Sequence, residues 1–498
     1  MQLLLLIAVF VVATCGLVYE LVAGTLASYL LGDSVTQFST IIGVYLFAMG
    51  IGSWLSKYFD RNLLGWFIQI EILVGIVGGF SSALLFLLFP HINSFRIILY
   101  LLVGITGALV GLEIPLLLRI LKDRVKFRDL VAKVFTFDYI GALLASVIFP
   151  LLLVPYLGLI RTSMLFGLLN AGVGLYLVYA FREELPNRRY LAVAGFVSVL
   201  ALLVGMVFAD RIMEHSEEAA YNAHVVYSGS TPYQRMVLTK NENELRLFLN
   251  GNLQFSSTDE YRYHEALVHP GLAQLSNPKK VLVLGGGDGL AVREVLKYPS
   301  VNSVTLVDLD PAMTELFSKH ELLTVLNNNS LKSPKVKVIN SDAYNWLVEN
   351  KELFDFIIID FPDPSNYSIG KLYSKPFYEI LRQSLHPNGL AVIQSTSPFY
   401  APQSFWCISN TIQSTGLQTK PYHTMVPSFG EWGFVLVSNS KTDTQPVNFP
   451  SGLRFMDANT YSQLFHFPKD IAWRETEINR LNNQALVHYF EKEWSKVN

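Results

Sequence analysis

The first 210 residues or so limit what this chain can fold into more than any other feature. Apolar stretches of about twenty residues recur there, at roughly 3–30, 35–56, 64–90, 97–118, 134–157, 160–181 and 190–209. In hydrocarbon each backbone N–H and C=O must be satisfied within its own segment, so such stretches fold as bilayer-spanning helices. Composition agrees. The 498 residues are 51% hydrophobic and only 16% charged, and the apolar excess lies before residue 210. The first stretch has no basic segment before it and runs on past Glu20, so it is read as a retained span rather than a cleaved signal.

Basic residues follow alternate spans. Lys57 and Arg61 follow the second; Arg119, Lys122, Arg124, Lys126, Arg128 and Lys133 the fourth; Arg182, Arg188 and Arg189 the sixth. The positive-inside rule puts these loops and the N-terminus in the cytoplasm, which makes this a multi-pass protein of the cell (inner) membrane with the lipid bilayer as a partner. Seven crossings then deliver the rest of the chain outside, away from the cell's supply of small-molecule substrates. Long domains are weakly constrained by loop charge, and substrate supply favours a cytoplasmic side.

Four acids fall at membrane depth: Glu20, Glu71, Glu113 (just before Pro115) and Asp138. A carboxylate at that depth costs about 2.5–3.5 kcal/mol on insertion scales, so it faces a partner or a wet cavity. Two readings stand: a cation or amine site between helices, or protonated carboxyls acting as helix–helix glue. The glycine-rich runs Gly75–Gly79 and Gly104–Gly111 permit close helix packing. A formal net charge of -2 gives no basic field for nucleic acid. Cys15 and Cys407, the two cysteines, lie in an apolar stretch and in the distant half, which excludes a disulfide framework; no metal-ligand set is read either.

The second organising stretch is Val281–Asp310. Val281–Leu284 reads as a buried parallel strand, Ala291–Leu296 as a helix and Val304–Val307 as the next strand, closing on the acid Asp308. This is a βαβ unit with a glycine turn, and an acid about twenty residues on is placed for ribose hydroxyls. The glycines are Gly285, Gly287 and Gly289, with Leu at 290, so the pattern is G-x-G-x-G and not the dinucleotide G-x-G-x-x-G. That pattern suits an S-adenosyl ligand, which has no pyrophosphate to cradle. Many methyltransferases carry an acid two residues before the first glycine; here that position is Val283, and the acid stands inside the turn as Asp288.

The predicted architecture is thus an N-terminal polytopic α-helical membrane domain of about seven spans, a small β domain, and an α/β Rossmann-like S-adenosyl-binding domain. Expected boundaries are 1–210 for the transmembrane domain, 211–278 for a linker and small β-strand domain, 279–450 for the Rossmann-like domain and 451–498 for a C-terminal extension. Asp210–His224 reads as a polar linker or surface helix. Tyr227–Leu238 and Leu245–Leu249 read as strands about a turn at Asn241–Asn243, and Ser256–His269 as a helix. The tail Glu477–Trp494 reads as an amphipathic helix, packed on the domain or at a membrane face.

Thr231-Pro232-Tyr233-Gln234, Asn250-Gly251-Asn252-Leu253-Gln254, Asp259-Glu260 with Tyr263-His264-Glu265, Gly285–Gly289, and Asp360-Phe361-Pro362-Asp363-Pro364 occur in this order. Together they resemble the spermidine synthase family, the polyamine aminopropyltransferases, over roughly 225–470, and the apolar half resembles that of its multi-pass bacterial members. The resemblance implies transfer of an aminopropyl group from decarboxylated S-adenosylmethionine, a co-substrate rather than a tightly bound cofactor. The acceptor is an amine, and methylthioadenosine is released. By the family pattern Gln234, Asp308, Asp342 and Ala343 hold the nucleoside alongside the turn Gly285, Gly287, Asp288 and Gly289. Gln254, Tyr263, His264, Asp288 and Asp363 line the amine channel, and Asp360 is the catalytic base. Family members are often dimers or larger, which makes a homo-oligomer an expectation.

The residues support the chemistry independently. A primary amine is mostly protonated at neutral pH and has then no lone pair to attack with; an acid ending strand Phe356–Ile359, namely Asp360, can hold it and take its proton. The sulfonium is already a good leaving group, so positioning supplies much of the rest. A decarboxylated donor ends in an ammonium, for which Asp288 is a sensible partner, whereas the carboxylate of a methyl donor would be repelled. Plainer readings accompany each residue: Asp360 as a solvated strand-end acid, His264 as a satisfied buried histidine, Asp342 as the cap of helix Ala343–Asn350. Tyr373 reads equally as packing. Phe429 stands where soluble members place a tyrosine whose hydroxyl helps bind the acceptor, and Asp308 where the ribose acid is usually Glu. The acceptor is therefore open between a putrescine-like diamine and a membrane-borne amino lipid. The alternatives weighed are an S-adenosylmethionine methyltransferase on the same fold and a polyamine-sensing membrane transporter.

Overall fold

The computed structural model describes residues 2–31, 34–92, 94–122, 127–440 and 448–496. Arg124 and Lys126 of the basic loop lie outside them. The chain divides into two compact units, Met1–Asn241 with Phe248–Asn252, and Glu242–Leu247 with Leu253–Asn498.

The first unit holds seven helices: α1 (Gln2–Leu31), α2 (Ser34–Leu55), α3 (Leu63–Leu88), α4 (Phe95–Leu121), α5 (Phe127–Ile148), α6 (Val154–Ala180) and α7 (Arg188–Tyr221). Among the described residues they make six segments long and apolar enough to cross a membrane, against the seven expected spans. The difference lies at the fifth, Val131–Ala180, which is 50 residues long. There α5 and α6 are joined by a π turn over Phe149–Leu153, and Gly158, at φ +71°, breaks the backbone of α6. The expected close packing at glycines is present. A Cβ at Gly75 would come within 2.7 Å of the Gly167 carbonyl on α6, and one at Gly107 within 2.8 Å of the Tyr45 carbonyl on α2. The polar stretch after residue 210 continues α7 to Tyr221 rather than forming a separate linker, and the helix stops where Asn222 turns left-handed at φ 48°.

Four strands follow, β1 (His224–Ser230), β2 (Arg235–Asn241), β3 (Glu244–Leu249) and β4 (Asn252–Ser256), in a sheet ordered as in the chain. The expected strand Tyr227–Leu238 is therefore two. Pro232 has no N–H to give a ladder, and the Thr231 hydroxyl accepts from the backbone N–H groups of Tyr233 and Gln234 at 3.1 and 3.0 Å, closing a turn.

The core of the second unit is a seven-stranded sheet of β5 (Lys280–Gly285), β6 (Ser303–Asp308), β7 (Val336–Asn340), β8 (Phe354–Asp360), β9 (Leu385–Gln394), β10 (Gln418–Val426) and β11 (Gly430–Ser438). The order is β10-β11-β9-β8-β5-β6-β7; β5 to β9 are parallel, while β11 runs against β9 and β10 against β11. The apolar runs Val281–Leu284 and Phe356–Ile359 are wholly buried, as strands covered on both faces must be. The helices are α8 (Glu260–Leu272), α9 (Leu290–Val295), α10 (Pro311–Lys319), α11 (Glu321–Leu326), α12 (Ala343–Glu349), α13 (Tyr367–Gly370), α14 (Lys375–Ser384), α15 (Pro402–Gln413), α16 (Ala458–Gln463) and α17 (Ala485–Trp494).

The tail helix begins at Ala485, eight residues later than the pattern predicts. Asn479 is fully buried and donates from its side chain to the carbonyls of Gly370 and Tyr373 at 3.0 and 3.1 Å, which holds the preceding segment extended against the domain. The helix itself packs on the domain: Glu493 accepts from the N–H groups of Gln403 and Ser404 at 2.8 and 3.0 Å, capping α15. Glu265 works in the same way on α8. Its carboxylate, 1% exposed, accepts from the backbone N–H groups of Arg454, Phe455 and Met456, each at 2.8 Å. Glu265→Ala leaves three N–H groups without an acceptor, at about 1–3 kcal/mol for each that stays buried. The 451–456 segment should then be cut by trypsin at Arg454 far faster than in the wild type, as mass spectrometry of the digest would show.

Candidate active site

β5 and β8 lie side by side, and their register pairs Gly285 with Asp360. Chain order reverses here, with β6 on one side and β8 on the other, so the strand ends open a crevice. Gly285, Gly286 and Gly289 adopt φ of +79°, +64° and +74°, a region that only glycine enters at little cost. Space requires glycine as well: a Cβ at Gly285 would strike the Asp360 carbonyl, and one at Gly287 would reach the Asp308 carboxylate at 2.7 Å. The turn is thus wedged between the two strand-end acids.

Asp308 holds the turn. Its Oδ2 accepts from Gly287 N–H at 3.0 Å and its Oδ1 from Asp310 N–H at 2.9 Å, leaving each oxygen lone pairs for a further donor. Burial pushes its carboxyl up to about 6, against the pull of those two bonds. Asp288 is 9% exposed; its Oδ1 accepts from Leu290 N–H at 2.8 Å at the start of α9, and burial raises its pKa.

Among the described residues Asp360 takes one hydrogen bond, from the Tyr263 hydroxyl of α8 to Oδ1 at 2.5 Å. Burial pushes Asp360 up to about 6, the charge of Asp288 adds to this, and His264 and Tyr263 oppose it. Around Tyr263 stand Phe429, Trp432 and Phe434, with ring centroids at 6.0, 6.5 and 5.4 Å. The loop carrying Phe429 is fastened to the start of α8, where Asp259 accepts from Ser428 N–H and Oγ at 2.6 and 2.9 Å.

Asp363 is held from the next strand. Gln394, the last residue of β9, donates to its Oδ1 at 3.2 Å, and Thr396 Oγ1 donates to its Oδ2 at 3.1 Å. Gln394 also donates to the Phe361 carbonyl at 2.6 Å, and its Oε1 accepts from Trp432 Nε1 at 3.2 Å. Thr396 sits at φ +54°, where a β-branched residue bears strain of about 1–3 kcal/mol. Burial pushes Asp363 up to about 6, against both donors.

A buried charge network lies on the α8–α9 side of the turn. His264 Nδ1 is 2.9 Å from Glu260 Oε2, and Arg293 grips Glu260 with both terminal nitrogens at 2.9 Å. Arg293 Nε reaches Glu294, which also holds His269 at 2.9 Å and Lys297 at 2.6 Å. Burial disfavours a charged His264, but the bond to Glu260 and its charge outweigh it, so its pKa is raised. Glu294 is held down at about 2 by His269 and its two cations despite burial.

Asp288, Asp308, Asp360 and Asp363 with Tyr263, His264 and the glycine turn all belong to the strand-end region of the second unit. Asp342 behaves as a cap: Oδ1 accepts from Asn345 N–H at 3.0 Å to start α12 at the buried Ala343, and Oδ2 pairs with Lys371 at 2.9 Å. Burial opposes its ionisation, but Lys371 and the cap hold it below the usual range. Gln254 is half-buried on β4. Gln234 belongs to the first unit, on the turn before β2, as do Glu20, Glu71, Glu113 and Asp138 on their helices. Tyr373 is fully buried, and its hydroxyl donates to the Pro362 carbonyl at 3.1 Å. Sequence reasoning missed Gln394, Thr396, Arg293 and Glu294. For Gln394 a signal existed, since it ends the parallel strand next to β8, where ligands of open α/β sheets collect.

Residues 260–449 match the Spermine/spermidine synthase domain. The whole chain is 52% identical over 497 residues to a polyamine aminopropyltransferase of Leptospira interrogans, covering 100% of both. It is 54% identical over 503 residues to polyamine aminopropyltransferase 2 of Ralstonia nicotianae, covering 99% of this chain and 98% of the relative. A solved spermidine synthase from Thermotoga maritima is 27% identical, covers 49% of this chain and 84% of its own, and superposes with a TM-score of 0.46. The two full-length relatives match the apolar half as well as the sheet domain, and on them the chain belongs to the polyamine aminopropyltransferase family.

Proposed function

We propose that this chain moves the aminopropyl group of decarboxylated S-adenosylmethionine to a small primary diamine, as in putrescine giving spermidine, and releases 5'-methylthioadenosine. The observation that carries the reading is the Asp360 carboxylate at the end of β8, buried and bound by a single Tyr263 hydroxyl, against the glycine turn. Asp360 holds the acceptor ammonium and takes its proton. The freed lone pair attacks the aminopropyl carbon next to sulfur as the C–S bond breaks, and the sulfur leaves as a neutral thioether. Asp308 meets the ribose hydroxyls across the turn it already holds. Asp288 pairs with the ammonium end of the donor, where the carboxylate of a methyl donor would meet repulsion. Asp363, fixed by Gln394 and Thr396, takes the far ammonium of the acceptor.

Phe429 gives the acceptor an aromatic wall with Tyr263 and Trp432 in place of a hydroxyl. A wall of this kind suits an ammonium carried on methylenes. The helical unit is membrane-embedded in this reading, supported by its six apolar segments. Substrate supply favours a sheet domain on the cytoplasmic side with the donor.

Purified full-length protein given decarboxylated donor should release methylthioadenosine only when an amine is added. If neither putrescine-like amines nor an aminolipid extract elicits release, the reading fails. Asp360→Asn should lower kcat by about 10²–10⁴-fold with the donor still bound. Asp360 must be ionised to work, so kcat/KM should fall as pH drops below about 6. Stability runs the other way. A carboxyl raised on folding binds more protons in the native state, so the penalty imposed by Asp308, Asp360 and Asp363 is relieved as pH falls toward 4. Melting and initial-rate profiles on the same samples should therefore diverge between pH 7 and 5.

A further inference from the structure

The transfer reaction leaves the acids of the helical unit unused, and their surroundings point to a ligand. Glu71 on α3 is fully buried, and neither of its carboxylate oxygens has a hydrogen-bond partner among the described residues. Glu113 on α4 is 2% exposed and its Oε1 is likewise unpartnered. Glu113 lies one turn beyond Val110, which a Cβ at Gly16 of α1 would approach at 3.0 Å, and one turn beyond Gly16 on α1 stands the hydroxyl of Tyr19. That hydroxyl is itself unpartnered on a residue 3% exposed, with the ring lodged over Gly78 of α3.

Asn170 on α6 is the independent observation. It is wholly buried, and both its amide oxygen and its amide nitrogen lack a partner. Close contact between α3 and α6 brings it within one turn of Glu71: a Cβ at Gly174 would lie 3.5 Å from the Glu71 Cβ, and one at Gly75, a turn beyond Glu71, would lie 3.0 Å from Ala171 N. Asn170 stands one turn before Gly174 on the same helix, so it shares that face.

No neighbouring donor reaches either oxygen of Glu71, and neither amide atom of Asn170 is paired among the described residues. A buried polar atom without a partner is costly, and here four helices converge on the deficit. The set is rich in acceptors, carries two potential negative charges, and has no lysine or arginine paired with it among the described residues. Among those residues no cluster of three or more histidine, cysteine or acidic side chains forms a metal site. A group with one positive charge and three N–H donors supplies what the Glu71 carboxylate, the Tyr19 oxygen and the Asn170 amide oxygen lack.

We propose that Glu71, Glu113, Tyr19 and Asn170 form a second amine site, within the helical unit, that binds a primary ammonium group. It does not depend on the transfer chemistry of the sheet domain. Glu71 supplies the main charge, Tyr19 and Asn170 accept from the remaining N–H groups, and Glu113 matches a second positive charge on a longer amine.

The test is equilibrium binding of radiolabelled putrescine to the full chain in nanodiscs of phosphatidylcholine and phosphatidylglycerol, neither of which carries a primary ammonium. Two classes of site per chain are expected. Glu71→Gln and Glu113→Gln should each weaken one class by about tenfold or more, the size of a lost charge-assisted bond, and leave the rate of methylthioadenosine release at saturating putrescine unchanged. Asp360→Asn should spare that class. Should the acid variants not fold, Tyr19→Phe deletes only the unpartnered hydroxyl and should weaken the same class severalfold. A single class of site, a second class that survives these substitutions, or equal competition by tetramethylammonium or sodium would overturn the proposal. The binding count is read separately from product release, so failure here and failure of the transfer reading are told apart.

Discussion

The second unit depends on one close approach, that of the backbone at Gly285 to the backbone at Asp360. With any side chain at 285, β5 and β8 could not hold their register to the last residue, and the turn would not fold over the strand end. Because they do, an acid at the tip of a buried strand is set against a loop of left-handed glycines. Asp308, on the other side, ties the same loop through Gly287 N–H. The crevice is thus defined by backbone contacts before any ligand enters, and its acids are desolvated by the packing that creates it. This is electrostatic preorganisation of the kind that a cationic transfer reaction uses.

The orientation of α8 carries the second half of the site, and a buried ion network fixes it. Glu260 of α8 is gripped by Arg293 of α9, and Arg293 reaches Glu294, which holds His269 one helix away on α8. Such pairs add little net stability, since desolvation offsets the attraction, but breaking one leaves a buried charge and is costly. Their effect here is positional: α9 begins at the glycine turn, so a clamp between α8 and α9 sets Tyr263 and His264 with respect to that turn. Glu265, one residue on, secures the chain after residue 450 through three backbone N–H groups. One helix turn thus serves Asp360, the ion network and the outer segment.

Much of this was legible in the residues. The G-x-G-x-G spacing located the turn, and Asp308 and Asp360 were read at strand ends from apolar runs closing on an acid. Local chemistry marked the cap at Asp342, which the structure realises alongside a pair with Lys371. What the sequence withheld depends on tertiary register. Gln394 is an unremarkable strand-end glutamine until β9 is laid beside β8, and the left-handed backbone of Thr396 has no sequence signal, since a β-branched residue argues against it. The tail helix was overextended because apolar periodicity cannot see that buried Asn479 must satisfy two carbonyls. In the apolar half, hydropathy marked a stretch for each of the seven helices, α5 and α6 among them, which a π turn and a glycine kink join.

The two units treat buried carboxylates in opposite ways, and the contrast bears on what each is for. In the sheet domain each buried acid of the site has a donor: Tyr263 for Asp360, Gln394 and Thr396 for Asp363, two backbone N–H groups for Asp308, Leu290 N–H for Asp288. Each keeps lone pairs free, so the acids are held in place yet remain able to take a cation. In the helical unit Glu71 has no donor at all, and the neighbouring Tyr19 and Asn170 are equally unspent. An apolar side chain would fill the same space without that desolvation cost, so the charge of Glu71 gains a use only from a cation that comes from outside the chain, which is the role the amine site gives it.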